Sequence, residues 1–303
     1  MAFVICTEAP AAERPELELV VDSALQRPAQ EWREWIDLAV DAVAGVGGEF
    51  PVPRVNVYLH EGPEGQPITF GWVRRNSPPE VHFRVSPSAS HAELIDEWHA
   101  FHEFAHLLLP FSGNQDIWFA EGLASYYQYF LQARAGVIDA DEAWQRLLAG
   151  FQRGFDDPSG EGEPLVRLSP RMWRLSAFRR VYWSGAAFFL RVDHGLREAS
   201  GHRHSLDRTL AAFAACCIDD GSRRWTALTL VERLGELSLP EVWRQEYDRA
   251  MRSRAAPDFG SAGGALGLVL EGERLSLRED SVSVGRRRAL ALGHRFDRAQ
   301  QPD

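Results

Sequence analysis

The five residues HEFAH at positions 102–106 carry the clearest chemical signal in the sequence. On an α-helix, His102 and His106 lie on one face about a turn apart, so both imidazoles can bind the same metal ion. Glu103 projects beside that face, where its carboxylate can take a proton from a water molecule that the ion activates. The spacing predicts a zinc site with Glu103 as general base. The alternative is a pair of histidines that are simply buried or solvent-facing.

A catalytic zinc site needs a third protein ligand, because the ion keeps its fourth position for water. Glu121, within the segment WFAEGLASYY, supplies that ligand. Fourteen residues separate it from His106, enough for the chain to turn through PFSGNQD and return as an antiparallel helix. A carboxylate between Phe119 and Leu123 is unfavourable to bury without compensation, and a metal ion compensates it. The alternative is a surface glutamate on an amphipathic helix.

The elements that must position these residues follow from the hydrophobic pattern and from Gly and Pro punctuation. A long helix from His91 to Leu109, capped by Ser88 or Ser90 and ended by Pro110, is predicted to carry the motif. Before it, the sequence predicts a strand at 16–25, a helix at 29–44, and short strands at 54–62, 68–75 and 81–86.

A second helix is predicted from near Asp116 to beyond Tyr129, and mostly helical sequence follows from about Glu142. After Gly260 the segments LGLVLEG, RLSLRED and SVSVGRR alternate like short strands. The predicted fold class is therefore α+β, with a small mixed sheet packed on the motif helix and a mainly helical subdomain after it. The predicted divisions are 1–110 (sheet and active-site helix), 111–258 (helical, completing the site) and 259–303 (short β-rich tail).

HEFAH followed by WFAEGLASYY resembles the HExxH…WxxEG(x)A signature of the gluzincin peptidases, notably the aminopeptidase N-like and glycyl aminopeptidase families. The resemblance covers roughly residues 80–205. It implies a thermolysin-like catalytic domain that hydrolyses peptide bonds. It also implies one Zn²⁺ ion bound by His102, His106 and Glu121, with Glu103 as general base and later proton donor.

A further segment, VYWSGAAFF, resembles the helix in these peptidases whose tyrosine hydroxyl stabilises the tetrahedral oxyanion. The resemblance implies that role for Tyr182, and the alternative is a core aromatic residue with a locally satisfied hydroxyl. Two features depart from the aminopeptidase N-like pattern. The interval between His106 and Glu121 is shorter, and the segment FGWVRRN places Arg74 and Arg75 where an acidic substrate anchor is expected. Aminopeptidase specificity is therefore not implied.

Three other features support weaker predictions. His99 shares a helical stripe with the two motif histidines, either as a neighbour or alternative ligand of the metal or as a surface or capping residue. Ser125, one turn after Glu121, can hydrogen-bond a metal ligand. The segment VHFRVS at 81–86 is either an edge strand that pairs with an extended substrate or an ordinary central strand.

Composition excludes several functions. The net charge of −10 argues against a nucleic-acid partner, and all 33 basic residues are Arg, which removes lysine chemistry. Cys6 and the adjacent pair Cys216 and Cys217 are predicted to be reduced thiols. With neither a signal-peptide pattern nor a membrane span, the predicted location is cytoplasmic. The predicted partner is a peptide or protein substrate, and the oligomeric state is not predicted.

Three functional hypotheses follow. The first is hydrolysis of a peptide bond by zinc-activated water. The second is a catalytically inactive, peptidase-like module that binds peptides or proteins, which the intact motif and Glu121 disfavour. The third is a purely structural zinc ion, which is disfavoured because structural sites normally have four protein ligands.

Overall fold

In a computed structural model, the described residues are 14–218 and 224–293, and the first half of the chain contains a four-stranded mixed sheet. The strands lie in the order β1-β2-β4-β3, with β1, β2 and β4 parallel and β3 antiparallel at one edge. Their bounds are Glu16–Val21 (β1), Arg54–Glu61 (β2), Ile68–Arg74 (β3) and Glu80–Val85 (β4). The four predicted strands are confirmed. The hypothesis that 81–86 forms an edge strand is wrong, because β4 pairs on both sides and β3 is the edge strand.

One face of the sheet packs against helices. Helix α1 (Ala29–Gly47) buries Trp35, whose ring centroid lies 5.1 Å from that of Phe83 on β4. The ring of Phe104 from the motif helix lies 6.4 Å from the same Phe83 ring. The aromatic core therefore holds the sheet against the helix that carries HEFAH.

The motif segment is broken where one continuous helix was predicted. It consists of α2 (His91–Asp96), α3 (His99–Ala105) and a 3-10 turn at 106–108. Ser90 caps α2, and its side chain accepts a hydrogen bond from the backbone of Glu93. At the break, the Glu97 side chain accepts from the Trp98 N–H at 3.0 Å and pairs with His99 Nδ1 at 2.8 Å. These local bonds replace helical ones, so α3 begins as a separate helix that re-aims the two motif histidines.

The second half of the chain is mainly helical, as predicted. Helix α4 carries Glu121, and the long helix α8 carries Tyr182. The helix bounds are Ile117–Ala135 (α4), Ala140–Phe155 (α5), Leu165–Leu168 (α6), Met172–Leu175 (α7), Phe178–Ser200 (α8), Leu206–Cys217 (α9), Ala227–Glu236 (α10), Pro240–Arg252 (α11) and Gly260–Ala265 (α12). The predicted α+β fold class, with a small sheet on the motif helix and helices after it, is confirmed.

Two glycines let α4 and α8 touch backbone to backbone. A Cβ atom on Gly122 would lie 2.5 Å from the backbone of Gly185, and one on Gly185 would lie 2.2 Å from the Trp118 carbonyl oxygen. No side chain can fill this crossing, because the obstructing atoms belong to the backbone. Gly122 follows Glu121 directly and Gly185 lies one turn after Tyr182, so the crossing fixes the distance between these two candidate site residues.

Only part of the tail is β-structured. Strands β5 (Leu268–Glu271) and β6 (Arg274–Leu277) form an antiparallel hairpin. The strand predictions for LGLVLEG and RLSLRED are therefore confirmed. The third segment, SVSVGRR, begins helix α13 (Ser281–Leu292), so its strand prediction is wrong. Asp280 caps this helix by accepting from Ser283 N at 2.9 Å. The domain divisions at residues 110 and 258 stay a prediction.

Cys216 and Cys217 form a disulfide between adjacent residues at the end of α9, which contradicts the prediction of free thiols. Cys6 lies outside the described residues. Within residues 14–218 and 224–293, every helix is too short or too polar to cross a lipid bilayer.

Candidate metal centre

Helix α3 and the 3-10 turn that continues it present His102 and His106 to a single point. The ring centroids are 4.9 Å apart and nearly perpendicular. His102 is buried and His106 half-buried, and the rest of α3 packs its apolar side chains into the core. The helical one-turn spacing read from the sequence therefore places both imidazoles in one partly enclosed site.

Glu121 reaches the same point from the first turns of α4. Its Oε2 atom lies 3.3 Å from His102 Nε2 and 3.7 Å from His106 Nε2. Candidate ligand atoms of the three residues all lie within 4.8 Å of one another. Donor atoms placed about 2.0–2.1 Å from a tetrahedral metal ion lie about 3.3–3.4 Å apart, so the contacts of Glu121 with the two histidines are close to the separation that such an ion requires.

The proton state of His106 suits metal binding, and that of His102 depends on Glu121. Burial lowers the pKa of His106 to about 3, although the charge of Glu121 opposes this shift. Burial acts the same way on His102, but the hydrogen bond to Glu121 and the charge of Glu103 outweigh it, so the pKa of His102 is raised. His106 is therefore neutral near pH 7, and the contact between His102 and Glu121 marks where a cation would stand between them.

Glu103 lies buried beside these ligands and faces the edge strand β3. Burial raises the pKa of Glu103 to about 8, and the charge of Glu121 adds to the increase while His102 and Arg75 oppose it. A Cβ atom on Gly71 of β3 would lie 2.7 Å from Glu103 Oε1. The glycine therefore leaves the room in which the carboxyl group sits.

Tyr182 enters the site from α8. Its hydroxyl lies close enough to Glu121 to help lower the pKa of that carboxyl group, and its ring centroid lies 6.5 Å from that of His102. Burial raises the pKa of Tyr182, and the charges of Glu121 and Glu103 add to the increase. The hydroxyl therefore stays protonated and can donate. The structure brings together all five residues that the sequence singled out.

The model of a protein family described as M61 glycyl aminopeptidase matches residues 111–184 of this chain. These residues include Glu121 and Tyr182. An aminopeptidase N family protein from Idiomarina loihiensis has a similar fold, with a TM-score of 0.59 and 15% identity. The alignment covers 83% of this chain and 47% of that protein. The predicted resemblance to the gluzincin-like peptidases is confirmed.

The solved structures with a similar fold are longer than this chain. The M1 zinc metallopeptidase from Deinococcus radiodurans aligns with a TM-score of 0.47 at 15% identity, over 79% of this chain and 48% of that one. The chain thus spans about half the length of the solved structures that it matches. No protein with a curated function matches it. At this level of identity, the structural likeness establishes the fold.

The residue that orients His102 in this gluzincin-like site was not predicted. His102 Nδ1 donates to Gln128 Oε1 at 2.8 Å, so Nε2, which is directed at Glu121, is the nitrogen that can bind a metal once it has lost its own proton. Gln128 lies two turns after Glu121 on the same face of α4. Ser125, the predicted partner, is buried on that face but makes no hydrogen bond to His102, His106 or Glu121 within the described part of the chain. The signal that could have identified Gln128 is that it is a polar residue on an apolar face of α4.

His99 does not join the three candidate ligands. Its Nδ1 pairs with Glu97, and its ring stacks on Trp98 with centroids 3.9 Å apart. The ring of Trp98 in turn meets that of His102 edge-on at 5.4 Å. His99 therefore packs against Trp98, which contacts His102, and forms part of the start of α3.

Replacing Gln128 by Leu is expected to weaken zinc binding by about 10- to 100-fold, because His102 loses the acceptor that fixes its ring and tautomer. Competition with a chromophoric chelator measures the affinity. Gln128→Glu is the matched variant, since it keeps an acceptor oxygen at the same reach and is expected to retain tight binding. Equal affinities of Gln128→Leu and the wild type would contradict the orienting role.

Proposed function

We propose that this chain is a zinc-dependent peptidase. The observation that carries the proposal is the convergence of His102, His106 and Glu121 on one point with the buried carboxyl group of Glu103 beside it. Two imidazoles and a carboxylate form the ligand set of catalytic rather than structural zinc sites, which keep one position open. When bound, zinc acts as a Lewis acid that activates water and polarises a carbonyl group.

The residues of the chain divide the remaining work. Glu103 takes a proton from the attacking water and passes it to the leaving amine, and its raised pKa suits both steps near neutral pH. Tyr182 donates a hydrogen bond to the oxygen that becomes negative. Gln128 keeps His102 in the tautomer that can bind the metal.

The edge strand β3 offers a place for the substrate. Among residues 14–218 and 224–293 it pairs only with β4, which leaves its other edge available to an extended peptide backbone, and Gly71 brings that edge close to Glu103. A peptide or protein is therefore the proposed substrate, with neither nucleic acid nor a membrane as partner. The cytoplasmic location stays a prediction.

The second candidate function is a peptidase-like module that binds peptides without cleaving them. The free edge of β3 serves that function equally well. The complete set of ligands, the buried Glu103 and the tyrosine hydroxyl favour hydrolysis, because a module that only binds has no use for a general base.

The test is metal content together with hydrolysis of a mixed peptide library. The wild type is expected to hold about one zinc per chain and to lose cleavage on chelation. Glu121→Ala is expected to lose both the zinc and the cleavage, because two imidazoles alone bind the ion weakly. Glu142→Ala, on the exposed face of α5, is the matched control and is expected to keep both. A wild type that takes up no zinc under metal-replete conditions would refute the proposal.

A further inference from the structure

Arg74 and Arg75 are neighbours in sequence but have different surroundings. Arg74 lies opposite Glu80 in the pairing of β3 with β4, and its Nη1 atom is 3.9 Å from the Glu80 carboxylate. Arg75 follows the strand and donates from Nη2 to the carbonyl oxygen of His106. Because the chain alternates sides at each residue of a strand, one arginine faces the outer side of the sheet and the other turns towards the metal ligands.

The charge of Arg75 has no carboxylate partner within salt-bridge distance in the described part of the chain. Its single hydrogen-bond acceptor there is the backbone oxygen of His106. A guanidinium group carries five N–H donors, so most of the planar fork stays available to a ligand. Arg75 is also exposed, so a ligand can reach it.

The position of Arg75 is defined relative to the site. The His106 carbonyl ties its side chain to the end of α3, and Glu103 is close enough to act on it electrostatically. The free edge of β3 runs from Gly71, beside Glu103, to Arg74. A peptide paired along that edge would therefore pass Arg75 at one end of its bound segment.

We propose that Arg75 binds a carboxylate of the substrate and so makes this chain selective for acidic peptides. The inference rests on the proposed peptidase function and names its substrate class. Arginine suits this role because its planar fork matches a carboxylate with two parallel hydrogen bonds. The carboxylate comes either from an Asp or Glu side chain or from a free C-terminus.

The test uses one cleaved peptide in which each position near the cleavage point carries Glu, Gln or Arg in turn, with a free or an amidated C-terminus. For zinc-loaded wild type, kcat/KM is expected to be about 10- to 100-fold higher for the acidic form at one position, because a charged hydrogen bond is lost without it. If the peptide with a free C-terminus is preferred over the amide and the side-chain exchanges have no effect, the terminal carboxylate is the group bound. If only the side-chain exchange removes the preference, the group is Asp or Glu.

Three variants separate recognition from support of the fold. Arg75→Gln is expected to lower kcat/KM for the acidic peptide to about that for the neutral peptide, and Arg75→Glu is expected to favour the Arg-containing peptide. Arg74→Gln makes the same charge change one residue away and is expected to keep the wild-type preference. An equal loss on all peptides in Arg75→Gln would assign Arg75 to capping α3 and overturn the proposal, as would a wild type without acidic preference.

Binding of the same peptides is also measured by calorimetry, with the Glu103→Gln variant as the non-cleaving form. Tighter binding of the acidic peptide, lost in Glu103→Gln/Arg75→Gln, supports carboxylate recognition even if the wild type cleaves nothing, in which case the peptidase function alone fails. Equal binding of acidic and neutral peptides overturns the carboxylate site whether or not cleavage occurs.

Discussion

Replacing Glu103 by Gln is expected to lower peptide hydrolysis by about 100- to 10,000-fold while zinc stays bound. The amide is nearly isosteric with the carboxyl group, so the pocket beneath Gly71 is filled as before. It cannot take a proton from water, however, and His102, His106 and Glu121 are unchanged. Steady-state kinetics and metal analysis on the same preparation measure the two effects.

This pairing of results distinguishes Glu103 from a ligand, since Glu121→Ala is expected to lose metal and activity together. Glu93→Gln is a suitable control, because Glu93 is an exposed glutamate in the capping box of α2 and lies outside the site. It is expected to keep activity. Full activity in Glu103→Gln would assign proton transfer to another group and remove the general base from the mechanism.

Replacing Gly185 by Ala is expected to lower the free energy of unfolding by about 3 kcal/mol, at the upper end of the range for overpacked cores. The added Cβ would lie 2.2 Å from the Trp118 carbonyl oxygen and 2.7 Å from Gly122 Cα, and neither atom can turn away as a side chain can. Helices α4 and α8 must then separate, which moves Glu121 away from Tyr182. Chemical denaturation and zinc affinity, measured together, report both consequences.

Gly45→Ala in α1 is the matched control for this change. A Cβ at Gly45 meets no atom within 4 Å, so the substitution tests helix propensity alone. It is expected to leave zinc affinity unchanged and to raise stability by up to about 1 kcal/mol, because alanine favours the helix over glycine. If Gly185→Ala matched Gly45→Ala in both measurements, close contact of the two helices would not be what positions the site.

Much of the site could be predicted because the spacing of its residues within short segments indicates its chemistry. His102 and His106 are one turn apart on an apolar helix, and Glu121 is an acidic residue in a second apolar helix. Both signals depend on the period of the α-helix, which can be recognised within a short segment of sequence. The strands β2, β3 and β4 were predictable for a similar reason, since Gly and Pro residues mark their ends.

The order of these strands was not predictable in the same way. Whether β4 lies inside the sheet or at its edge depends on its pairing with β2, and the whole of β3 separates these two strands in the sequence. The hydrophobic pattern of β4 is compatible with either position. The break at Glu97 and Trp98 was missed because side-chain hydrogen bonds decide it, whereas hydrophobic periodicity continues through it.

Side-chain length explains the remaining miss at the site. Ser125 and Gln128 are both polar residues on the Glu121 face of α4, and the pattern does not rank them. Only the longer glutamine side chain spans the gap between helices to His102. In the tail, the alternation of SVSV favoured a strand, but the Asp280 cap and the buried spacing of Ser283, Arg287 and Leu290 fit a helix.

The free edge of β3 also has a consequence for solubility. An unpaired strand edge is a template on which another copy of the chain can add a strand and aggregate. Here the register of β3 shifts between Ile68 and Phe70, and Arg74 and Arg75 stand at its end, so a second copy would meet an irregular ladder and a repelling pair of charges. The same two arginines thus keep the edge open for a peptide while discouraging self-association.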